Sequence, residues 1–329
     1  MSRLPVSGRA AGDDRSGRCH ELTRQAGDRR VAVVLITRNG GQRLAAALRH
    51  LTALPERPPI VVVDNGSTDG TADTVRRRFP EVTVVAAGAN LAAAGRTLGV
   101  RAVDTPYVAF AEDDSWYAPG SLARAADLLD AHPDVALVQA HVLVGPEERP
   151  DPLHEDMVGT AVTDAPGLPG YPILSFLEGT SILRREAYLA VGGFDPRLFA
   201  GGVEEHLAAD LLSAGWKLRY TPEVVAHHHP DHAEPPGWVR RVGVRNTLWF
   251  AWGRRPPRPA VRWSVHVLRQ SGLRVDTIAG LAMAVCGAPR VLRRRRPLPG
   301  EVELDMARLD ESKRRSRARR YSKARARPA

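Results

Sequence analysis

Four short apolar runs, separated by segments of helix length, constrain this chain more than any other feature. Val31 to Ile36 (VAVVLI), Ile60 to Val63, Val82 to Ala86 and Tyr107 to Ala111 are continuous and rich in β-branched residues. A run without the alternation of a half-exposed strand reads as a strand buried on both faces, the habit of parallel sheets. One intervening segment carries apolar residues at Leu44, Leu48 and Leu51 and is closed by Pro55 to Pro59; another spans Asn90 to Val103. Both read as helices. Strand and helix alternating through short loops predict an α/β fold with a parallel sheet and right-handed crossovers.

Three of these strands end in polar residues. The first runs into Thr37-Arg38-Asn39-Gly40. The second runs into DNGSTDGT (Asp64 to Thr71), where Thr68 or Asp69 can cap the next helix. The fourth ends in Glu112-Asp113-Asp114, followed by Trp116, Tyr117 and the helix-opening Pro119. In a parallel sheet these tips share one edge, where open α/β sheets bind ligands. Three adjacent carboxylates repel one another unless a cation lies among them. A hard divalent cation takes oxygen ligands and bridges to phosphates. A solvated acidic turn is the plainer alternative, but it leaves the aromatic pair unexplained. The edge suits a nucleotide, with acceptors for base and ribose and carboxylates holding a metal on the diphosphate. Arg96 either adds a positive charge there or is a solvent-facing helix arginine.

The order TRN, VVDNGSTDGT and a strand ending in EDD resembles the family 2 glycosyltransferases of GT-A fold. The similarity continues through Pro119-Gly120-Ser121-Leu122, GGFDPRLF (Gly192 to Phe199) and Glu204-Glu205, covering approximately Val31 to Pro230. The resemblance implies a GT-A, Rossmann-like, mostly parallel sheet flanked by helices, followed by a C-terminal helical extension. It also implies inverting sugar transfer from a nucleotide-diphosphate sugar (UDP-, dTDP- or GDP-linked), assisted by Mg²⁺ or Mn²⁺. Base contact is carried to Thr37 and Asp64, ribose or diphosphate contact to Glu112, and metal ligation to Asp114. Arg38, Asn39, Asn65, Arg96 and Asp113 complete the expected donor-binding set. Glu112 stands where the family more often has Asp.

The second half carries the acceptor-side candidates. Gly120 to Ala131 reads as a helix, Val135 to Val144 as a strand, and Gly145 to Gly170 as a loop over the site. Ile173 to Leu183 reads as a strand; an acid buried there needs a partner. Glu178 therefore contacts a sugar hydroxyl or pairs with an arginine. Trp116 and Glu178 are the expected acceptor contacts. Val203 to Ala214 has helical spacing, with Glu204 and Glu205 in a first turn that favours carboxylates in any case. The resemblance places the catalytic base in an acidic pair here, although Val203 occupies the first acid's place. Alignment on Gly202 makes Glu204 the base, with Glu205 the fallback; Asp210 reads as structural. After the strand Lys217 to Tyr220 come His227, His228 and His229. The resemblance implies a histidine near the metal, and strand alternation allows only part of the triplet to face inward. His228 is the expected ligand.

Composition narrows the remaining choices. Two cysteines, Cys19 and Cys286, have neither disulfide-framework nor zinc spacing, which suggests a reducing compartment. The first 28 residues are polar and Arg-rich, and Thr277 to Pro289 is short for a membrane span, so the expected location is cytoplasmic. Much of the +10 net charge comes from Ser312 to Ala329, with nine Lys or Arg and no acid. A solvated tail is the first reading. Peripheral contact with the inner face of the cell membrane is the second, at ~1 kcal/mol per basic residue. Nucleic acid is disfavoured because no aromatic stacking platform accompanies the charge. From Ala233 onward, Trp238, Trp249, Trp252 and Trp263 lie among Arg240, Arg241, Arg245 and Asn246. This stretch reads as a helical cap on the sheet, or as a surface for acceptor or membrane. Arg293 to Arg296 followed by Pro297 reads as the end of order.

The expected organisation is thus a tail (1–28), a catalytic domain (29–232, divided at 118), a helical extension (233–305) and a basic tail (306–329). The acceptor is a glycan, a lipid-linked sugar or a small molecule. A sugar nucleotidyltransferase is the alternative activity, but it needs a Gly-rich basic loop that Thr37-Arg38-Asn39-Gly40-Gly41 supplies poorly. A catalytically degenerate nucleotide-sugar-binding protein is the other alternative.

Overall fold

A computed structural model describes residues 27–230, 236–272 and 274–315. Nearly all of the expected N-terminal tail and most of the basic block lie outside the described residues. Gly27 and Asp28, which the sequence assigned to the tail, belong to the fold. The Gly27 N–H donates to Pro55 O at 3.0 Å, and Asp28 pairs with Arg30.

The donor half comprises β1 (Val31–Thr37), α1 (Gly41–Thr52), β2 (Ile60–Asp64), α2 (Thr71–Arg78), β3 (Thr83–Ala86), α3 (Arg96–Arg101) and β4 (Tyr107–Ala111). The acceptor half follows with β5 (Ser115–Tyr117), α4 (Ser121–Ala131), β6 (Val135–Val144), β7 (Arg149–Pro150), α5 (Leu153–Val158), β8 (Tyr171–Pro172), β9 (Ser181–Arg184), α6 (Arg185–Ala190), α7 (Val203–Ser213) and β10 (Lys217–His228). Four helices complete the described residues: α8 (Gly237–Arg254), α9 (Pro257–Ser271), α10 (Val275–Arg293) and α11 (Gly300–Arg315).

One sheet carries the order β3-β2-β1-β4-β9-β6-β10-β5. Strands β3, β2, β1 and β4 run parallel, so their C-terminal tips share an edge. Beyond them the sheet is mixed: β9 lies antiparallel between β4 and β6, β10 is parallel to β6, and β5 is antiparallel to β10. Apolar residues cover both faces. Leu44, Leu48 and Leu51 of α1 and Leu122 and Leu129 of α4 pack on one side. Val100 of α3, Ala187 of α6 and Leu207 and Leu211 of α7 pack on the other. Burying one such leucine contributes roughly 1.5–3 kcal/mol, and this two-sided burial is why the strand runs lack alternation.

Five segments depart from the sequence reading. Asn90 to Val103 is divided: Ala92 has φ 46°, a 3₁₀ turn covers Ala92–Gly95, and only then does α3 begin. Ile173 to Leu183 is a strand only from Ser181; Glu178–Thr180 forms a 3₁₀ turn. The loop 145–170 contains β7 and α5, and Arg219 holds it through Asp164 at 2.6 Å. Strand β10 continues to His228 because a register shift between Thr221 and Val225 lets pairing with β6 resume. Finally, order does not stop at Arg293 to Arg296 or at residue 305. Leu298, Val302 and Met306 bury against Leu174 and Phe250, and buried Arg255 pairs with Glu303 (2.9 Å) and Asp310.

Candidate active site

Thr37 and Asp64 are register partners at the tips of β1 and β2, and both are buried. Asp64 Oδ1 accepts the Ser67 N–H at 3.0 Å. Asn39, at φ 58°, donates its N–H to Ser67 Oγ at 2.9 Å, and its Oδ1 accepts the Thr68 N–H at 2.9 Å. Asn39 thereby stitches the two tip loops together, while Arg38 is exposed. Asn65 Nδ2 donates to Ala92 O at 3.1 Å, and its buried Oδ1 has no protein partner. Gly40 admits close approach here: a Cβ would stand 2.1 Å from Thr37 Oγ1 and 2.7 Å from Asp113 Oδ2.

The acidic turn between β4 and β5 is fastened to the Glu178–Thr180 turn. The Glu112 N–H donates to Ser115 Oγ at 2.8 Å, and that hydroxyl donates to Gly179 O at 3.0 Å. Behind the turn lies Arg96, fully buried rather than solvent-facing. Its two Nη atoms reach Glu112 Oε1 at 3.1 Å and Glu178 Oε2 at 3.0 Å. The guanidinium also lies 5.6 Å from the Phe110 ring centroid and 5.9 Å from that of Phe194. Of the two readings of Glu178, pairing with an arginine is the one found. Burial raises the Glu178 pKa, with Arg96 opposing. Asp113 is pushed up to about 6 by burial; Arg43, 3.3 Å away, opposes this while the charges of Asp114 and Glu112 add to it.

Glu112, Asp114 and His228 converge, their potential donor atoms all within 4.8 Å of one another. Asp114 Oδ1 is buried without a hydrogen-bond partner and lies 3.5 Å from His228 Nε2. An orphaned carboxylate oxygen beside a second carboxylate and an imidazole fits a divalent cation of the Mg²⁺ or Mn²⁺ class. The neighbouring histidines turn elsewhere. His227 and His229 lie 5.6 and 4.7 Å from the Trp116 ring, whose other contact is a stack on His50 at 4.2 Å. Trp116, expected at the acceptor, is held among imidazoles and lines a cavity with Asp113 and Asp114 rather than the cavity of Glu204 and Glu205.

That cavity, about 350 Å³, is lined by Glu204, Glu205, Phe176, Leu177 and Met157. Gly202, at φ 70°, caps α7, and Val203 turns into the hydrophobic core at 1% exposure. The place lacking an acid therefore faces inward, and the two glutamates follow it. Burial, followed by the charges of Glu178 and Glu205, raises the Glu204 carboxyl well above the ordinary range. Glu205 Oε2 is buried without a partner. The charge of Glu178 raises the Glu204 pKa and that of Arg96 lowers it, which couples Glu204 to two residues of the donor-side network.

Residues 32–194 match the family model for glycosyl transferase family 2. Residues 32–194 are a glycosyltransferase family 2 domain. Over 292 residues this glycosyltransferase is 29% identical to the N-acetylglucosaminyl-diphospho-decaprenol L-rhamnosyltransferase of Mycobacterium tuberculosis (strain H37Rv), covering 74% of the chain and 94% of that relative. Its fold resembles the mannosyltransferase PcManGT of Pyrobaculum calidifontis, solved with GDP-Man and Mn²⁺. The TM-score is 0.54 at 18% identity, covering 94% of this chain and 90% of that one. It also resembles GalNAc-T7, solved with UDP, GalNAc and Mn²⁺, at TM-score 0.50 and 14% identity. That match covers 68% of this chain and half of GalNAc-T7. The architecture is GT-A, and the enzyme is a nucleotide-sugar-dependent glycosyltransferase. The sugar nucleotidyltransferase alternative is not favoured.

Several residues of this glycosyltransferase's site escaped the sequence reading. Arg43 enters from the first turn of α1 to meet Asp113, and nothing in its spacing announces it. Ser115 directly follows the acidic turn, and its hydroxyl was the available signal. Gly179 is defined by proximity alone, since a Cβ there would lie 2.7 Å from Glu112 Cγ.

Proposed function

We propose that this glycosyltransferase transfers its sugar with inversion, with Glu204 as general base and a divalent metal held by Asp114, His228 and Glu112. The observation that carries the reading is the convergence of those three side chains, with an unpartnered Asp114 oxygen, at the edge formed by Thr37 and Asp64. Thr37, Asp64 and Asn65 face the nucleoside, and the orphaned Asn65 Oδ1 is free to accept from it. When bound, Mg²⁺ or Mn²⁺ neutralises charge developing on the departing diphosphate. Glu204 takes the proton from the acceptor hydroxyl as that oxygen bonds to the anomeric carbon, on the face opposite the breaking bond to the diphosphate oxygen. Its raised pKa makes it a better proton acceptor than an exposed glutamate, and such a base contributes ~10²–10⁴-fold. Arg96 positions Glu112 and Glu178 without touching substrate.

The acceptor we infer is a sugar borne on a lipid diphosphate, the kind named for the mycobacterial relative. Helix α10 supports this. It is long and apolar enough to cross a membrane by length and composition, with mean hydropathy 1.4 and 17% of its apolar window buried. The helix is longer than the apolar stretch Thr277 to Pro289, adding Val275, Val291 and Leu292 beside Asp276, Arg290 and Arg293. Gly280 and Gly287 press it against Val244 and Trp249 of α8. Val275, Ile278, Ala282, Val285 and Leu292, at helical spacing, are exposed. A face of this kind suits an in-plane lipid contact and supports reading the enzyme as one that works at the cytoplasmic surface of a membrane.

Calorimetric titration of UDP, dTDP and GDP, each with Mn²⁺, with Mg²⁺ or with neither, tests the donor site. One nucleotide is expected to bind tightly only with metal, and Asp114→Ala is expected to abolish that binding. Metal-dependent binding that persists in Asp114→Ala overturns the assignment.

A further inference from the structure

On the far side of α7 from the glutamates lies a second cavity, of about 490 Å³. Helix α7 presents His206 and Asp210 to it, and α8, α10, the segment after α10 and residues Asp195 to Leu198 before α7 supply the other walls. Six arginines line it: Arg197, Arg254, Arg290, Arg294, Arg295 and Arg296. The two acids among the lining residues are already engaged. Asp195 accepts from Arg197 Nε at 2.8 Å, and Asp210 pairs with Arg254.

Among the described residues, four guanidinium groups are left with no carboxylate. Arg290, Arg294 and Arg296 make no side-chain hydrogen bond or ion pair with the described residues. Arg295 donates to Arg255 O, and its Nε is buried without any partner. The wider region does not dilute this charge. Residues 237–296 contain fourteen arginines and a single acid, Asp276, which pairs with Arg241 at 3.0 Å. Unneutralised cations around one concavity raise the local concentration of anions, and guanidinium forks match the paired oxygens of phosphate groups. The volume lies within the range of small-ligand sites. Trp249, Val291 and Leu198 give the cavity an apolar wall beside the charge.

We propose that this arginine-lined cavity is a binding site for a diphosphate-bearing ligand, separate from the donor site. A soluble diphosphate and a lipid-borne diphosphate share the chemistry that the site recognises. The proposal does not depend on the identity of the catalytic base or of the donor.

Inorganic pyrophosphate titrated calorimetrically into the full chain, in excess EDTA and without nucleotide, isolates this cavity from the metal-dependent donor site. One saturable site is expected. The double variant Arg290→Ala/Arg294→Ala should weaken it roughly tenfold or more. Arg258→Ala/Arg262→Ala on α9, which removes equal charge outside the cavity, should leave it nearly unchanged, as should Asp114→Ala. Both arginine pairs are exposed, and matching thermal midpoints establish that the variants fold. Absence of saturable binding by the unaltered chain overturns the proposal, as does equal loss in the two double variants or loss in Asp114→Ala. Displacement of pyrophosphate by vesicles containing a polyprenyl diphosphate, and not by vesicles lacking it, assigns the site to the lipid-borne form; no displacement assigns it to the soluble form.

Discussion

Arg96 meets Glu178 at 3.0 Å from a position with no solvent exposure, and its second Nη meets Glu112 at 3.1 Å. One cation thereby serves a carboxylate from the tip of β4 and another from the turn before β9. Removing one partner of a buried pair leaves uncompensated charge and costs ~3–5 kcal/mol. Arg96→Ala should lower the unfolding free energy in urea by about that amount. A loss below ~1 kcal/mol, the scale of an exposed pair, would show that the network does not hold the two halves. Arg96→Lys should recover only part of the loss, because a single ammonium does not reproduce the fork.

Glu204 and Glu205 are separable by kinetics. Glu204→Gln should reduce kcat by roughly 10²–10⁴-fold with nucleotide affinity unchanged. Glu205→Gln should cost less than about tenfold on this assignment. Because burial raises the Glu204 pKa, the acidic limb of the kcat profile should fall above the ordinary carboxylate range. Activity is then lost as pH drops through it. The opposite ranking of the two variants in steady-state transfer assays would move the base to Glu205.

Gly40 is defined by its lack of a side chain. A Cβ there would meet Thr37 Oγ1 at 2.1 Å and Asp113 Oδ2 at 2.7 Å, and overpacking of this kind costs about 1–3 kcal/mol. Gly40→Ala should therefore weaken nucleotide binding by about tenfold, measured by titration, through displacement of Thr37. Unchanged affinity would mean that Thr37 takes no part in the donor site.

Glu56 offers a pH test remote from the chemistry. Its buried carboxyl lies at the backbone of Gly120, Leu122 and Ala123, where α4 begins, and burial raises its pKa above 4.5. The folded state then holds this proton more tightly than the unfolded state. The stability Glu56 contributes is complete below pH 4.5 and declines as pH rises through the raised value. Glu56→Gln cannot titrate, so its stability relative to the parent should increase with pH across that window and then level off. Parallel urea midpoints for the two proteins from pH 4 to 8 would refute this.

The four apolar runs read directly as β1 to β4, because strands covered on both faces leave an unmistakable pattern in sequence. The clustering of Thr37, Asp64 and the acidic turn was equally legible, since parallel strands oblige their tips to meet. What sequence did not carry was tertiary. Arg96 looked like any arginine at a helix start, and only burial between Phe110 and Phe194 distinguishes it. Trp116 directly follows the acidic turn in sequence, but its setting among three histidines comes from β5 pairing with β10 at the sheet's edge. The ordered course of α11 depends on Arg255 meeting Glu303 and Asp310, a pairing across many residues that no local pattern announces.

The register shift in β10 has a consequence for how the sequence can vary in length. Thr221 pairs with Ala140 and Val225 with the very next residue, His141, so three residues are looped out on one strand alone. Strand side chains alternate, and the register in which pairing resumes decides which member of the histidine triplet shares a side with Asp114. The pairing of Val225 with His141, and not the length of the bulge, therefore holds the imidazole in place. Residues added within the bulge leave His228 facing Asp114 as long as that pairing is kept, whereas a one-residue slip of the pairing turns every following side chain to the opposite face.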